Sequence, residues 1–142
     1  MLELSLDNAR ATDALRELGV LGRRAVRVYL PDPHSWVVWM EENGLDWLRT
    51  KGVTTWSELD NALEVRVSPF HEDERDANET LWHELKHVQQ FSGFATRQEA
   101  MGEYSYWQRH AGYAGNPFET TAEKYGRKQA RKNRANPLLR SA

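Results

Sequence analysis

The sequence contains no cysteine. That absence excludes disulfide staples, cysteine-ligated zinc and a thiol nucleophile together, so any metal held by this chain takes histidine, aspartate or glutamate as its donors. Long apolar runs are missing as well. The most continuous, Ser35 to Met40 (SWVVWM), falls far short of the roughly 18 residues needed to cross a bilayer. No basic stretch followed by an apolar core opens the chain, because Met1 to Arg16 is polar and mixed in charge, unlike a secretory signal. A soluble, cytoplasmic protein with no membrane partner is the expectation. Internal repeats are absent, and nothing is of low complexity apart from a basic C-terminal stretch.

The 142 residues suit one domain. With 39% hydrophobic residues and six tryptophans, the chain has enough large side chains for a core. Its net charge of −2 conceals an asymmetry. Residues 124–142 hold Lys124, Arg127, Lys128, Arg131, Lys132, Arg134 and Arg140 and no acid, which leaves 12 basic against 21 acidic residues before them, a body of −9 with a tail of +7. The expected organisation is a core over residues 1–123, with residues 124–142 as the basic continuation of the last helix and a C-terminal tail. Such a tail suits an acidic partner or nucleic acid, or only solvates a frayed helix end.

Periodicity gives a coarse map. Ala11, Ala14, Leu15 and Leu18 share one helical face over Asp7 to Leu18, and Gly19 follows as a stop. Ala25 to Leu30 alternates like a half-buried strand and ends at Pro31-Asp32-Pro33. Ser35 to Met40 suits either a buried strand or a helix. Val53 to Leu59 and Leu63 to Ser68 read as a hairpin. Three helical stretches follow, Asp76 to Phe91, Thr96 to His110 and Pro117 to Asn133, punctuated by Gly93, Gly112, Gly115 and Asn116. An N-terminal helix, a small mixed or antiparallel sheet and C-terminal helices describe an α+β domain.

Within the first of those three helices, His83-Glu84-Leu85-Lys86-His87 is an HExxH sequence. At 100° per residue with Leu81 at zero, Leu85 and Val88 fall at about 40° and 340°, and His83 and His87 at about 200° and 240°. The imidazoles therefore share a face opposite the apolar stripe, one turn apart, where both can reach one ion from a rigid backbone. Glu84 is rotated away from direct ligation and can approach a metal-bound water. The motif would arise by chance in roughly 2% of shuffled sequences of this composition.

Catalytic zinc ordinarily takes three protein ligands. His34, His71 and His110 show no spacing that ties them to the motif. Glu119 is a better candidate, in Asn116-Pro117-Phe118-Glu119, where Asn116 and Pro117 read as N-cap and first helical residue. A capping box, in which Asn116 and Glu119 satisfy each other's backbone amides, competes with that role. Glu123, one turn on, is a candidate to orient a ligating imidazole or to be the next ligand, with Glu103 after it. Tyr113, and beside it His110, are candidates to stabilise an oxyanion.

His83-Glu84-Leu85 with His87-Val88-Gln89-Gln90 resembles the HELxHVxQ active-site helix of small gluzincin-like, zincin-type metallopeptidases, including minimal single-domain forms from bacteria and their phages. Asn116-Pro117-Phe118-Glu119-Thr120-Thr121-Ala122 is similar to their NPxExxA segment. The two matches come in the right order and span His83 to Tyr125; the rest of the chain shows no match. The resemblance implies a zincin-like fold, Zn2+ held by His83, His87 and Glu119, Glu84 as general base, Glu123 in a supporting acid position, and a peptide or protein substrate laid against a sheet-edge strand, for which Leu63 to Ser68 is the candidate. Lys86 departs from the small residue common there, and no large C-terminal subdomain supplies a separate histidine for the transition state. A phage-encoded copy would be virion-associated. The alternatives are a non-catalytic zinc-stabilised structural or assembly protein, nucleic-acid binding through the basic tail, and non-haem iron, for which Glu84 has no evident use.

Overall fold

Asp7, Asp32, Asp73 and Thr96 each stand in extended backbone, and each side chain accepts a hydrogen bond from the amide three residues on. These caps satisfy donors that a helix leaves without partners, and they open α1 (Asn8–Glu17), α2 (Pro33–Glu42), α3 (Glu74–Ser92) and α4 (Arg97–Gly115). Asn116, followed by Pro117, opens α5 (Pro117–Lys132). The computed structural model describes residues 2–141, and these adopt an α+β fold of five helices and two small sheets. The ambiguous SWVVWM run is helical, as part of α2. Asp32 and Pro33, which end the preceding strand, also cap the helix, and Trp36 and Met40 bury one face of it.

The larger sheet has the order β2-β4-β3, formed by β2 (Val26–Tyr29), β4 (Leu63–Val67) and β3 (Gly52–Trp56), with β2 parallel and β3 antiparallel to β4. Leu63, Val65 and Val67 point into the core against Leu81, Leu85 and Val88 of α3. On the opposite face Glu64 pairs with Arg27, and the Arg66 guanidinium lies over the Trp39 and Tyr29 rings at 4.2 and 4.8 Å. The expectation that Leu63 to Ser68 is the edge strand is corrected here. Its hairpin with β3 is present, but the parallel pairing with β2 covers its other side, and β3 is left at the edge.

Residues 124–132 continue the last helix, as the sequence suggested. Helix α5 continues without a break to Lys132, with Gly126 and Ala130 buried. Beyond it, Leu138 and Leu139 are fully buried, and β5 (Leu139–Ser141) pairs antiparallel with β1 (Leu4–Leu6). The Asn78 side chain clamps this end, donating to the Leu139 carbonyl and accepting from its amide, each at 2.9 Å. Leu138 and Leu139 are therefore part of the core, and the strand that Leu139 begins is paired rather than frayed.

Two glycines set how closely the layers meet. A Cβ at residue 126 would stand 2.6 Å from the Glu79 carbonyl oxygen and 3.2 Å from His83 Cβ, and one at residue 52 would stand 2.6 Å from Thr80 Cγ2 and 3.1 Å from Glu84 Cγ. A side chain at 126 would have to displace the Glu79 backbone, and one at 52 the Thr80 side chain. Helix α5 and strand β3 thus press directly against the helix that carries HExxH.

Two stability changes follow. Leu138→Ala should lower the free energy of unfolding in urea by about 2–5 kcal/mol; a change below 0.5 kcal/mol would mean that the C-terminal segment is dispensable. Gly126→Ala should cost about 1–3 kcal/mol through overpacking, and a neutral or stabilising result would contradict the close approach of α5 to α3.

Candidate metal centre

His83 and His87 lie one turn apart on α3, on the side facing α5, with ring centroids 4.9 Å apart. Glu119 lies in the first turn of α5, two helical turns before the contact made by Gly126, and on the same face. Its Oε1 is 3.0 Å from Nε2 of His83 and 3.0 Å from Nε2 of His87, and the two nitrogens are 3.1 Å apart. Glu119 and His87 are buried, with His83 slightly more open. The carboxylate is turned to the imidazoles rather than to the Asn116 amide, which donates to the Tyr113 carbonyl. The capping role belongs to Asn116 alone, whose side chain accepts from the Phe118 amide at 3.0 Å.

Hydrogen bonds around the triangle fix what its corners present. Gln90 Nε2 donates to the Phe118 carbonyl at 3.0 Å, so Gln90 Oε1 faces His87 Nδ1 at 2.8 Å and accepts its proton. In the neutral ring His87 Nε2 is then an unprotonated lone pair. That lone pair, a carboxylate oxygen and a second imidazole nitrogen converge within about 3 Å. A proton relieves one edge of such a triangle, whereas a cation relieves all three.

Ionisation is biased the same way. Burial opposes charging of His87, but its hydrogen bond to Glu119 and the charges of Glu84 and Glu119 outweigh it, and the imidazole pKa is raised. Burial likewise pushes the Glu119 carboxyl up, but the two histidines and Tyr104 hold it well below the usual carboxylate range. The pocket stabilises positive charge between an anion and two imidazoles.

Zinc fits this donor set. Four ligands at about 2.0–2.1 Å from a tetrahedral ion stand about 3.3–3.4 Å apart, and the three atoms here are only about 0.3 Å closer than that. His83, Glu84 and His87 also form a group able to hold a metal ion, their nearest donor atoms lying within 4.8 Å of one another. Of the two carboxylates Glu119 is the nearer, because Glu84 Oε2 stands 4.0 Å from His83 Nε2. That offset suits a group acting on a water beside the ion. Glu84 is held by Thr54 of the edge strand, whose hydroxyl lies 2.8 Å from Oε1 and 3.2 Å from the Glu84 carbonyl oxygen.

The triangle opens onto a cleft of about 650 Å³ walled by β3, α3, α4 and α5. Gly52, Val53 and Thr54 line one side, Met101, Tyr104 and Tyr113 another, and Phe91 the floor, stacked on His87 at 5.6 Å. Tyr113 follows the kink of α4 at Gly112, where φ is 70°. Burial and the Glu119 charge raise its pKa, so the phenol keeps its proton and can donate it in a hydrogen bond. Tyr104 donates to Glu119 Oε2, leaving Oε1 to the histidines. Sequence reasoning missed Tyr104, Thr54 and Gln90. Only Gln90 carried a local signal, since it lies three residues after His87 on a neighbouring line of the same helix.

The other candidates lie elsewhere. Glu123 does not support an imidazole: it lines the cleft mouth, exposed, and pairs with Arg127 at 3.1 Å. Gln90 takes the position expected of it. Glu103 accepts from the Trp107 indole on the exposed side of α4. His71 is buried between Asp76, at 2.8 Å, and the Lys51 carbonyl. His110 is exposed against Tyr106, and His34 is exposed on α2. Lys86, the departure from the motif, leaves the cleft for Gln89 and the Tyr125 ring.

Among the described residues no helix is long and apolar enough to cross a membrane. Comparison of the chain with family models, with curated proteins and with solved structures gave no match.

Proposed function

We propose that the protein is a zinc-dependent peptidase of the HExxH type, in which His83, His87 and Glu119 hold the ion and Glu84 is the general base. The observation that carries this reading is the triangle of Nε2, Nε2 and Oε1 at 3.0–3.1 Å, with a fourth side, bearing Glu84, open to a cleft. The resemblance of HELxHVxQ and NPxExxA to small gluzincin-like metallopeptidases supports it independently of the geometry.

A zinc ion bound there supplies a Lewis acid for a carbonyl oxygen and brings the acidity of water toward neutral pH. The chain's own groups do the rest. Glu84 takes a proton from water and returns it to the departing amine. Thr54 fixes one Glu84 oxygen and leaves the other toward the cleft. Tyr113, protonated and facing the cleft, is placed to donate a hydrogen bond to a developing oxyanion. The free edge of β3 offers unpaired backbone groups along Gly52 to Thr54, where an extended peptide can add as a strand.

Elemental analysis and a peptide-library assay test the proposal together. Wild type should carry about one zinc per chain; His83→Ala and Glu119→Ala should lose most of it, and Glu84→Gln should keep it and lose cleavage by at least about 100-fold. Full metal content in Glu119→Ala would reject the third ligand. If a chelator lowers the melting temperature while the wild type cleaves nothing in a broad library, the ion is a structural staple.

The supporting groups make a subtler test. Tyr104→Phe frees Glu119 Oε2 and should weaken zinc affinity by about 10–100-fold, the usual cost of losing a group that orients a ligand. Thr54→Val should leave zinc affinity unchanged and reduce kcat more than KM, because it loosens only Glu84. The reverse pattern, zinc loss in Thr54→Val and none in Tyr104→Phe, would show that the two roles are misassigned.

A further inference from the structure

The face of α5 turned away from the metal centre carries a second pattern. With Gly126 at zero on a helical wheel, the buried Glu119, Ala122 and Ala130 fall within about 40° of it, and Lys124, Arg127, Lys128, Arg131 and Lys132 fall between about 100° and 240°. Those five cations are exposed, as is Arg134 just beyond the helix. Arg127 pairs with Glu123, but among the described residues Lys124, Lys128, Arg131, Lys132 and Arg134 form no ion pair. The remainder of the chain, before residue 124, has a charge of −9. Cationic surface is thus concentrated on one rigid helix and left without internal partners.

We infer that this outer face of α5 is a docking surface for the phosphodiester backbone of nucleic acid. From Lys124 to Arg134 the stripe extends about 15 Å at 1.5 Å per residue. At about 3.4 Å per phosphate, one strand of a duplex places four to five phosphates along that length, comparable in number to the five unpaired cations. The chemistry of the stripe favours a phosphodiester over the other anionic partners. A membrane-surface helix needs an exposed apolar face, and the apolar face of α5 lies against α3. A protein partner usually engages aromatic as well as arginine anchors, and no exposed side chain from Lys124 to Arg134 is aromatic. Contacts of this kind position a backbone and read no bases, so binding should be independent of sequence. The acidic body repels the duplex elsewhere and confines it to this face. The inference is independent of the peptidase reading.

The test is fluorescence anisotropy of the full chain with labelled 20-base-pair duplexes of two unrelated sequences, between 50 and 200 mM salt. Five phosphate contacts give a slope of log K against log salt of about −4.5, a loss of about 500-fold over that range. Lys128→Gln/Arg131→Gln/Lys132→Gln changes only exposed residues to another good helix former, and should reduce the slope to about −1.8, a loss of about 12-fold. Single substitutions, each expected to remove about 0.9 of slope, replace the triple variant if its circular dichroism melt departs from wild type. Absence of binding at 50 mM salt, or a wild-type slope in well-folded variants, would overturn the inference. So would displacement of the duplex by polyglutamate or by phosphatidylserine vesicles at equal charge concentration, since either would make the stripe a general anion surface.

Discussion

Two imidazole nitrogens and a carboxylate oxygen that face one another across about 3 Å, mostly shielded from water, repel unless a proton or another positive charge lies among them. That constraint organises the centre of this molecule. His83 and His87 are fixed by one turn of α3, and Gln90 holds the His87 proton on the side away from the triangle. Glu119 completes it from another helix, with its second oxygen occupied by Tyr104. Each supporting contact removes a way for the donors to rotate apart. The three groups are therefore held in place by their surroundings, and any ion they bind would find them already converged.

The triangle in turn depends on how closely two helices can pack. Glu119 reaches the imidazoles because Gly126 lets the α5 backbone rest on Glu79 and His83 with no side chain between them. On the other side of α3, Gly52 brings β3 near enough for Thr54 to hold Glu84. One glycine governs the distance to Glu119 and the other the distance from Thr54 to Glu84. Both contacts converge on the same two turns of α3, while the opposite face of that helix is anchored in the core by Leu81, Leu85 and Val88.

What could be read from the sequence was local. The HExxH helix, the capped start of α5 and the hairpin of β3 with β4 each follow from residues a few positions apart, and their bounds agree with the structure to within a few residues. Features that depend on distant pairs were hidden. Residues 4–6 and 139–141 form a sheet only because the two ends of the chain meet, and three-residue strands carry no periodicity. The parallel pairing of β2 with β4 spans a crossover that includes α2, so nothing in Leu63 to Ser68 itself revealed a central strand. Tyr104 is 15 residues from Glu119 in the sequence, and no spacing rule connects them. Whether the Glu119 carboxylate turns to the Asn116 amide or to the imidazoles was hidden for the same reason: either contact puts a glutamate in the first helical turn, and only the position of α3 separates them.

Helix α5 joins the two ends of this argument. Glu119 sits in its first turn and Arg131 and Lys132 in its last, so the macrodipole favours the anion at one end and the cations at the other. The positive helix terminus offsets part of the cost of burying Glu119, and the two imidazoles and the Tyr104 hydroxyl offset more. The carboxylate can therefore remain ionised in a largely dry site, which a neutral acid would not need. An ionised Glu119 thus faces His87, whose own pKa is raised by the same contact. The same helix presents lysine and arginine on its solvent side, where they stay charged at low cost. One amphipathic segment thus turns a negative charge toward the two imidazoles on its inner face and positive charge toward solvent on its outer one, kept apart by the width of the helix.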